Sequence, residues 1–300
     1  MSEPAKIRLR LDHPLDLPTT LDGGQAFRWR QANGWWEAPL GRTVVRLRHV
    51  ESDGDELEVR HSGAGGATSE SNLRRYQGLD DPIATSITAL ASSGIPRGEL
   101  LHAEGVHLLR QDSWETLVSF ILSQNSNGPR IRKNVEDIAR EAGEQFGSDG
   151  STVYALPEPS ALADFGEERL RKLKISYRAP HLIAAARMIA RHEIDLVGLS
   201  ADDFDTARQV LRTIPGVGPK VADYVLAYAL HFREAFPVDT WVERAVRRRS
   251  PEVAAWTRER ISDWGRQRFA RNAAYVQLIL FHLERRRALS AGGEHNFSPS

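Results

Sequence analysis

Between Ile7 and about Arg60 the hydrophobic positions recur at every second residue. Ile7, Leu9 and Leu11 alternate with Lys6, Arg8 and Arg10, the period of a half-buried strand. Trp35-Trp36, Val44-Val45-Arg46-Leu47 and Leu57-Glu58-Val59 supply further short pieces, broken at Gly34, Gly41 and Asp53-Gly54-Asp55. Such pieces predict an antiparallel sheet built from hairpins, and the small polar run from Ser62 to Ser69 predicts a loop. From about residue 104 the period lengthens to that of a helix. Trp114, Leu117, Val118, Ile121 and Leu122 fall at i, i+3, i+4, i+7 and i+8, and Asp112 and Glu115 stand ahead of them at capping-box spacing. Ile131, Val135, Ile138 and Ala142 carry a second helix, and 145–160, with two glycines and two prolines, reads as a connection. Helical patterns resume over about 160–172, 178–192, 203–213, 219–232, 239–248 and 252–288, the last interrupted. No repeat of fixed period is present. The pattern predicts an α+β protein, with an N-terminal antiparallel sheet domain over residues 1–103 and a mostly helical domain over 104–300.

Composition narrows the class. The 300 residues are 41% hydrophobic and 27% charged, which fits a soluble globular chain and is too apolar for a disordered one. No apolar run reaches the ~18 residues of a membrane span, and MSEPAKIRLRLDH lacks the apolar core of a signal peptide, so the expected compartment is the cytoplasm with no membrane partner. The chain has no cysteine, which excludes disulfides, a thiol nucleophile, cysteine-ligated zinc and a cysteine-held iron–sulfur cluster. His102, His107, His181, His192, His231 and His282 show no ligand spacing, so no metal site is expected. The net charge is zero but unevenly spread. Residues 51–100 hold 4 Arg against 9 Asp/Glu, and residues 206–300 hold 16 Lys/Arg against 9 Asp/Glu. A basic C-terminal region fits a face that meets phosphates, and equally a solvated helix surface.

The most specific segment is Leu211-Arg212-Thr213-Ile214-Pro215-Gly216-Val217-Gly218-Pro219-Lys220-Val221-Ala222-Asp223. It predicts a helix ending near Ile214, a tight two-glycine turn, and a new helix with Pro219 in its first turn. Gly216, Val217 and Gly218 would then present backbone N–H groups to a phosphate, a clamp that needs no side-chain charge and reads no sequence. A helical hairpin without ligand would use the same turn. Lys220 starts the second helix beside Val217 and Val221, surroundings that favour a neutral, nucleophilic amine. Asp239 follows in Phe236-Pro237-Val238-Asp239-Thr240. On their own, Lys220 reads equally as a solvated lysine and Asp239 as a helix N-cap.

Ile214-Pro215-Gly216-Val217-Gly218-Pro219-Lys220 followed by Pro237-Val238-Asp239 resembles the helix-hairpin-helix–Gly-Pro-Asp superfamily of DNA glycosylases, and within it the 8-oxoguanine DNA glycosylase/AP lyase family. Gly24-Gln25-Ala26-Phe27-Arg28-Trp29 resembles the N-terminal Gly-Gln-x-Phe-Arg-Trp signature of that family. Ser119 to Asn127 with Arg130-Ile131 resembles its Asn-rich turn, Tyr177-Arg178-Ala179 its Tyr-Arg-Ala motif, and Tyr275 to Phe281 its C-terminal pocket helix. The resemblance implies a base-excision repair enzyme that flips 8-oxoguanine from double-stranded DNA, cleaves the glycosidic bond through a lysine Schiff base and nicks the abasic site. Lys220 would be the nucleophile and Asp239 would stabilise the developing sugar cation. Gly24 would offer its carbonyl to the N7–H of the lesion, Phe281 would stack on the base and Gln277 would bond its Watson–Crick edge. Asn125 would fill the gap in the duplex, Arg130 would read the opposite base and Tyr177 would wedge beside it. No cofactor is required, a monovalent cation on the hairpin carbonyls is implied, and a monomer is expected.

The sequence departs from the family pattern at Tyr224, where relatives often carry Cys, at Trp241 in place of a phosphate-contacting His, and at Lys174 and Ser176 in place of glycines. Two other readings use the same hairpin. A glycosylase for alkylated bases generally lacks the lysine nucleophile, and a non-catalytic DNA-binding module needs none of Asp239, Gln277 and Phe281.

Overall fold

The computed structural model describes residues 5–50, 53–63, 69–92, 95–101, 103–147 and 152–290. Residues 64–68 of the predicted loop, and His102, lie outside these. The sheet forms as the alternation predicts. Strands β1 (Ala5–Arg10), β2 (Arg30–Ala32), β3 (Trp35–Leu40), β4 (Thr43–Val50) and β5 (Asp53–Gly63) pair antiparallel in the order β1-β5-β4-β3-β2. Asn33 and Gly34, both at positive φ, make the β2–β3 turn. Leu9 lies opposite Leu57, and Leu47 opposite Val59, so one face buries these with Trp36, Ala38 and Val45. On the strand positions between, Glu58 bonds Lys6, Arg48 and Arg60, which together with Lys6 as the largest influence hold its carboxyl down at about 2.

Helix α1 (Leu17–Leu21) follows β1, capped by Asp16. Between the sheet and residue 104, where the sequence pattern predicted no helix, lie α2 (Glu70–Tyr76), α3 (Ile83–Ser92) and α4 (Arg97–Leu100). Ile83, Leu90, Ile95 and Leu100 belong to the larger, helical core, whereas Leu73, Leu79 and Leu109 belong to the core under the sheet.

The helical part continues with α5 (Ser113–Leu122), α6 (Gly128–Ala142), α7 (Pro159–Phe165), α8 (Glu167–Lys172), α9 (Ala179–Ala190), α10 (Phe204–Arg212), α11 (Pro219–Tyr228), α12 (Thr240–Arg249), α13 (Arg258–Phe269) and α14 (Ala273–Ser290). Gly166, at φ +85°, divides the helix predicted at 160–172 into α7 and α8. The predicted interruption near the C-terminus falls at Ala270, φ +47°. The connection at 145–160 contains a small hairpin of β6 (Gln145–Phe146) and β7 (Val153–Tyr154). Asp112 caps α5 by accepting from Glu115 N–H at 2.8 Å, as the capping-box spacing anticipated. No helix among the described residues is long and apolar enough to cross a membrane.

Candidate active site

The hairpin between α10 and α11 is shaped by two backbone requirements. Gly216 sits at φ +83°, and a Cβ there would come within 2.3 Å of the His181 ring on α9, so only glycine fits. Gly218 is the N-cap of α11 with no side chain capping it, and the space beside it is open. Val217 N–H closes the turn on the Ile214 carbonyl at 3.0 Å. The N–H groups of Gly216 and Gly218 have no partner among the described residues, and the α11 N-terminus adds its positive dipole end. The hairpin is pinned from behind. Arg208 of α10 grips Asp223 of α11 through two bonds of 2.7 and 3.0 Å, and Ser262 of α13 donates to the same carboxylate at 3.0 Å.

Lys220 lies in the first turn of α11. Burial pulls its pKa below the usual value near 10.5, Asp239 opposes that pull and Arg258 adds to it. Asp239 is the N-cap of α12, accepting from the N–H groups of Trp241 and Val242 at 2.9 Å each. Burial raises its carboxyl pKa against the pull of Val242 N–H and Lys220. The cap and the charge beside the lysine are therefore the same residue in two roles. Pro237 and Val238, both buried, fix the approach.

Lys220, Tyr224 and Tyr228 recur at four-residue spacing along one face of α11, and Gln277 and Phe281 do the same on α14. The Tyr228 hydroxyl meets Gln277 Oε1 at 3.0 Å and joins the two faces. Gln277 is wholly buried, yet its Nε2 has no partner. Phe281 lies against Gly24, where an added Cβ would approach its ring to 3.3 Å, and Gly24 holds φ +97°. Of the predicted base-binding residues, Gly24 and Phe281 therefore meet, and Gln277 stands one turn before Phe281 on α14.

The rest of the Gly-Gln-x-Phe-Arg-Trp run holds Gly24 in place. Gln25 donates to the carbonyls of Thr20 and His107 and accepts from Leu109 N–H. Gln111 bonds the Gln25 carbonyl through its side chain at 2.7 Å and the Tyr228 carbonyl through its backbone N–H at 2.8 Å, tying the Gly24 loop to α11. Phe27 packs edge-on against Phe120, which stacks on Tyr224 with centroids 4.2 Å apart. Tyr224, standing where relatives often carry Cys, is thereby part of an aromatic column that runs from Phe27 to α11.

Asn125 follows α5 at φ +47°, exposed. Its turn is held by Arg178, 2% exposed, which donates to the carbonyls of Gln124 and Asn125, and by Tyr177 Oη, which donates to Gln124 O at 3.1 Å. Gln124 Nε2 reaches the Gly216 carbonyl at 3.0 Å, linking this turn to the hairpin. Tyr177 is 42% exposed and Arg130 is exposed nearby, close enough to help depress the pKa of Arg178 after burial and against Tyr177. Sequence reasoning named Tyr177 but missed the work of Arg178. A basic residue that buries itself can be recognised only once its acceptors are placed. Among the described residues no cluster of three or more His, Asp or Glu lies together as a metal site.

The fold and this hairpin define a class. Residues 118–259 match the profile described as HhH-GPD superfamily base excision DNA repair protein, and residues 8–117 match 8-oxoguanine DNA glycosylase, N-terminal domain. The chain belongs to the 8-oxoguanine DNA glycosylase family of that superfamily. It is 33% identical over 200 residues to a probable N-glycosylase/DNA lyase of Methanothermobacter thermautotrophicus, covering 60% of this chain and 64% of that protein. It is 31% identical over 242 residues to N-glycosylase/DNA lyase OGG1 of Arabidopsis thaliana, covering 78% and 66%. The match thus spans just under two thirds of each relative. The Clostridium acetobutylicum 8-oxoguanine glycosylase/lyase, solved with double-stranded DNA containing cytosine opposite 8-oxoguanine, superposes with a TM-score of 0.86 at 27% identity, over 96% of this chain and 98% of that one.

Proposed function

We propose that this protein is a bifunctional glycosylase and lyase that removes 8-oxoguanine from duplex DNA and nicks the resulting abasic site. The observation that carries the reading is the bond from Tyr228 of α11 to Gln277 of α14, which joins the helix face of the half-buried Lys220, coupled to Asp239, to a face that holds an unpaired amide and the Phe281 ring against the side-chain-free Gly24. Lys220 Nζ, held toward its neutral form by burial, attacks C1′ as the C1′–N9 bond breaks and the base leaves. Asp239 stabilises the positive charge that builds on the sugar. Opening of the sugar ring gives a Schiff base, and loss of a C2′ proton then expels the 3′ phosphate. The hairpin N–H groups of Gly216 and Gly218 hold the backbone, with Val217 shaping the turn. Asn125 and Tyr177 occupy the opened stack and Arg130 meets the opposite base. Extrusion costs a few kcal/mol, which these groups offset in part.

The chemistry asks for no cofactor, because the amine and carboxylate suffice. The hairpin carbonyls of Ile214 and Gly216 accept from Val217 N–H and Gln124 Nε2, and no step runs through a monovalent cation there. The partner is double-stranded DNA carrying a damaged base, bound by a monomer. Sodium borohydride added during reaction with an 8-oxoguanine duplex should yield a covalent protein–DNA adduct. Base release without any adduct would remove the lysine mechanism and leave an aspartate-only glycosylase.

A further inference from the structure

Among the described residues the Tyr228 face of α11 and the Gln277 face of α14 touch through one polar contact, and that contact has a direction. Tyr228 is 2% exposed and Gln277 is not exposed at all, and their only mutual bond runs between the hydroxyl and Oε1 at 3.0 Å. The amide nitrogen of Gln277 is left without a partner, on the helix face it shares with Phe281. A side-chain amide reads equally well in either orientation until its surroundings choose one. Here the hydroxyl chooses. Among the described residues the Tyr228 hydroxyl has no second acceptor, so its proton is satisfied only while it donates to Oε1. Were the amide turned over, the hydroxyl would have to accept from Nε2, and its own proton would be buried without a partner, a costly arrangement. Burial also keeps this tyrosine protonated throughout the working pH range, so the donor is always present.

We propose that Tyr228 is a specificity-positioning residue: by donating to Gln277 Oε1 it fixes the amide with Nε2 as its free donor, and so selects purines that present a carbonyl oxygen at C6. The inference rests on the proposed function and deepens it. In the locked orientation Nε2 donates to O6, while the second lone pair of Oε1 remains for N1–H. A 6-amino purine offers the reverse pattern, a donor at position 6 and an acceptor at N1, and would need the disfavoured orientation. The Gly24 carbonyl cannot make this distinction, because a C8-oxidised adenine carries the same N7–H as 8-oxoguanine. Lesion reading is then divided between two elements, with Gly24 sensing oxidation at C8 and N7 and the Tyr228–Gln277 pair sensing which purine was oxidised.

The test is single-turnover excision by the full chain on three duplexes, carrying 8-oxoguanine, 8-oxoadenine or a preformed abasic site. The wild-type protein should strongly prefer 8-oxoguanine over 8-oxoadenine. Tyr228→Phe keeps the ring and removes the hydroxyl, and should lower that preference about tenfold while leaving abasic-site cleavage unchanged. Repeating the substitution in a Gln277→Ala background should have no further effect on preference, since nothing remains to be oriented. A preference unaltered by Tyr228→Phe, or equal losses on all three duplexes, would overturn the inference while leaving the proposed function standing. A wild-type protein without activity on 8-oxoguanine would overturn both. Should Tyr228→Phe fold poorly, Tyr228→Met in the same comparison decides the point, because it too lacks the donor.

Discussion

Helix α11 carries two charged pairs, three residues apart, and treats them in opposite ways. In one, Asp223, 1% exposed, receives a two-pronged grip from Arg208 and a third bond from Ser262. Asp223 holds Arg208 above its ordinary pKa although burial works against it, and while burial raises the Asp223 carboxyl, Arg208 and Ser262 pull it back down. In the other, Lys220 and Asp239 feel each other's charge, yet burial dominates both and moves each toward its neutral form. The first pair is fully bonded and serves to hold α10, α11 and α13 together. In the second, the carboxylate spends its bonds on the N-terminus of α12 and leaves the amine available. A cation–carboxylate pair on one helix becomes a bolt or a reagent according to how many hydrogen bonds each partner has already made.

Lys220→Gln should produce the largest effect. Base excision and the borohydride-trapped adduct should both disappear, while lesion-duplex affinity persists because the hairpin donors are backbone groups, and the urea midpoint should hardly move. Strand nicking at the wild-type rate by the purified variant would show that Lys220 is merely a solvated side chain at a helix start.

At the Arg208–Asp223 pair the outcome should invert. Asp223→Ala leaves the Arg208 charge buried with only the outlying Glu259 and Asp263 at 3.9 Å. Removing one partner of a buried pair typically costs 3–5 kcal/mol. Urea denaturation should register that loss, and excision per folded molecule at low temperature should stay within about threefold of wild type. A protein that keeps its stability but loses catalysis would mean that the two pairs on α11 are not separable.

The contrast also marks what a sequence can disclose. Gly216, Gly218 and Pro219 are legible because their roles are written in backbone terms, a positive φ, an open N-cap and a first-turn proline. The sheet was legible because Leu9, Leu47, Leu57 and Val59 alternate on a single buried face. Helices α2 and α4 were not, since they are short and each buries a single large side chain, Leu73 in α2 and Leu100 in α4. The bonds that organise the site were equally hidden. Arg178 reaches back 53 residues to Asn125, Gln111 reaches 86 residues to Gln25, and Tyr228 reaches 49 residues to Gln277. Periodicity reports a residue's own element and carries no record of what another element brings to it. The residues of the cleft were named from family resemblance, whereas the groups that aim them became visible only with the fold.

Asp239→Asn gives the smallest effect of the three, and the one that best separates a carboxylate's charge from its place at a helix start. Asparagine caps a helix about as well as aspartate, so the bonds to Trp241 and Val242 N–H should survive and stability should change by less than about 1 kcal/mol. What is lost is the negative charge facing the sugar cation. A preorganised group of this kind is typically worth 10²–10³ in rate, and single-turnover excision should fall by about that factor. The pH profile supplies a second reading with a definite sign. The amine is active when neutral, so the rate rises with pH through the folded-state pKa of Lys220, which burial places below its ordinary value. Asp239 favours the ammonium form and opposes that depression. Without its charge the lysine should lose its proton more readily, and the acid limb of the profile should move to lower pH even as the plateau drops. A plateau reduced with no displacement of that limb would mean that Asp239 acts on the sugar alone and that its charge does not reach the amine. A rate within about threefold of wild type would reduce Asp239 to the helix cap that its local geometry already makes it.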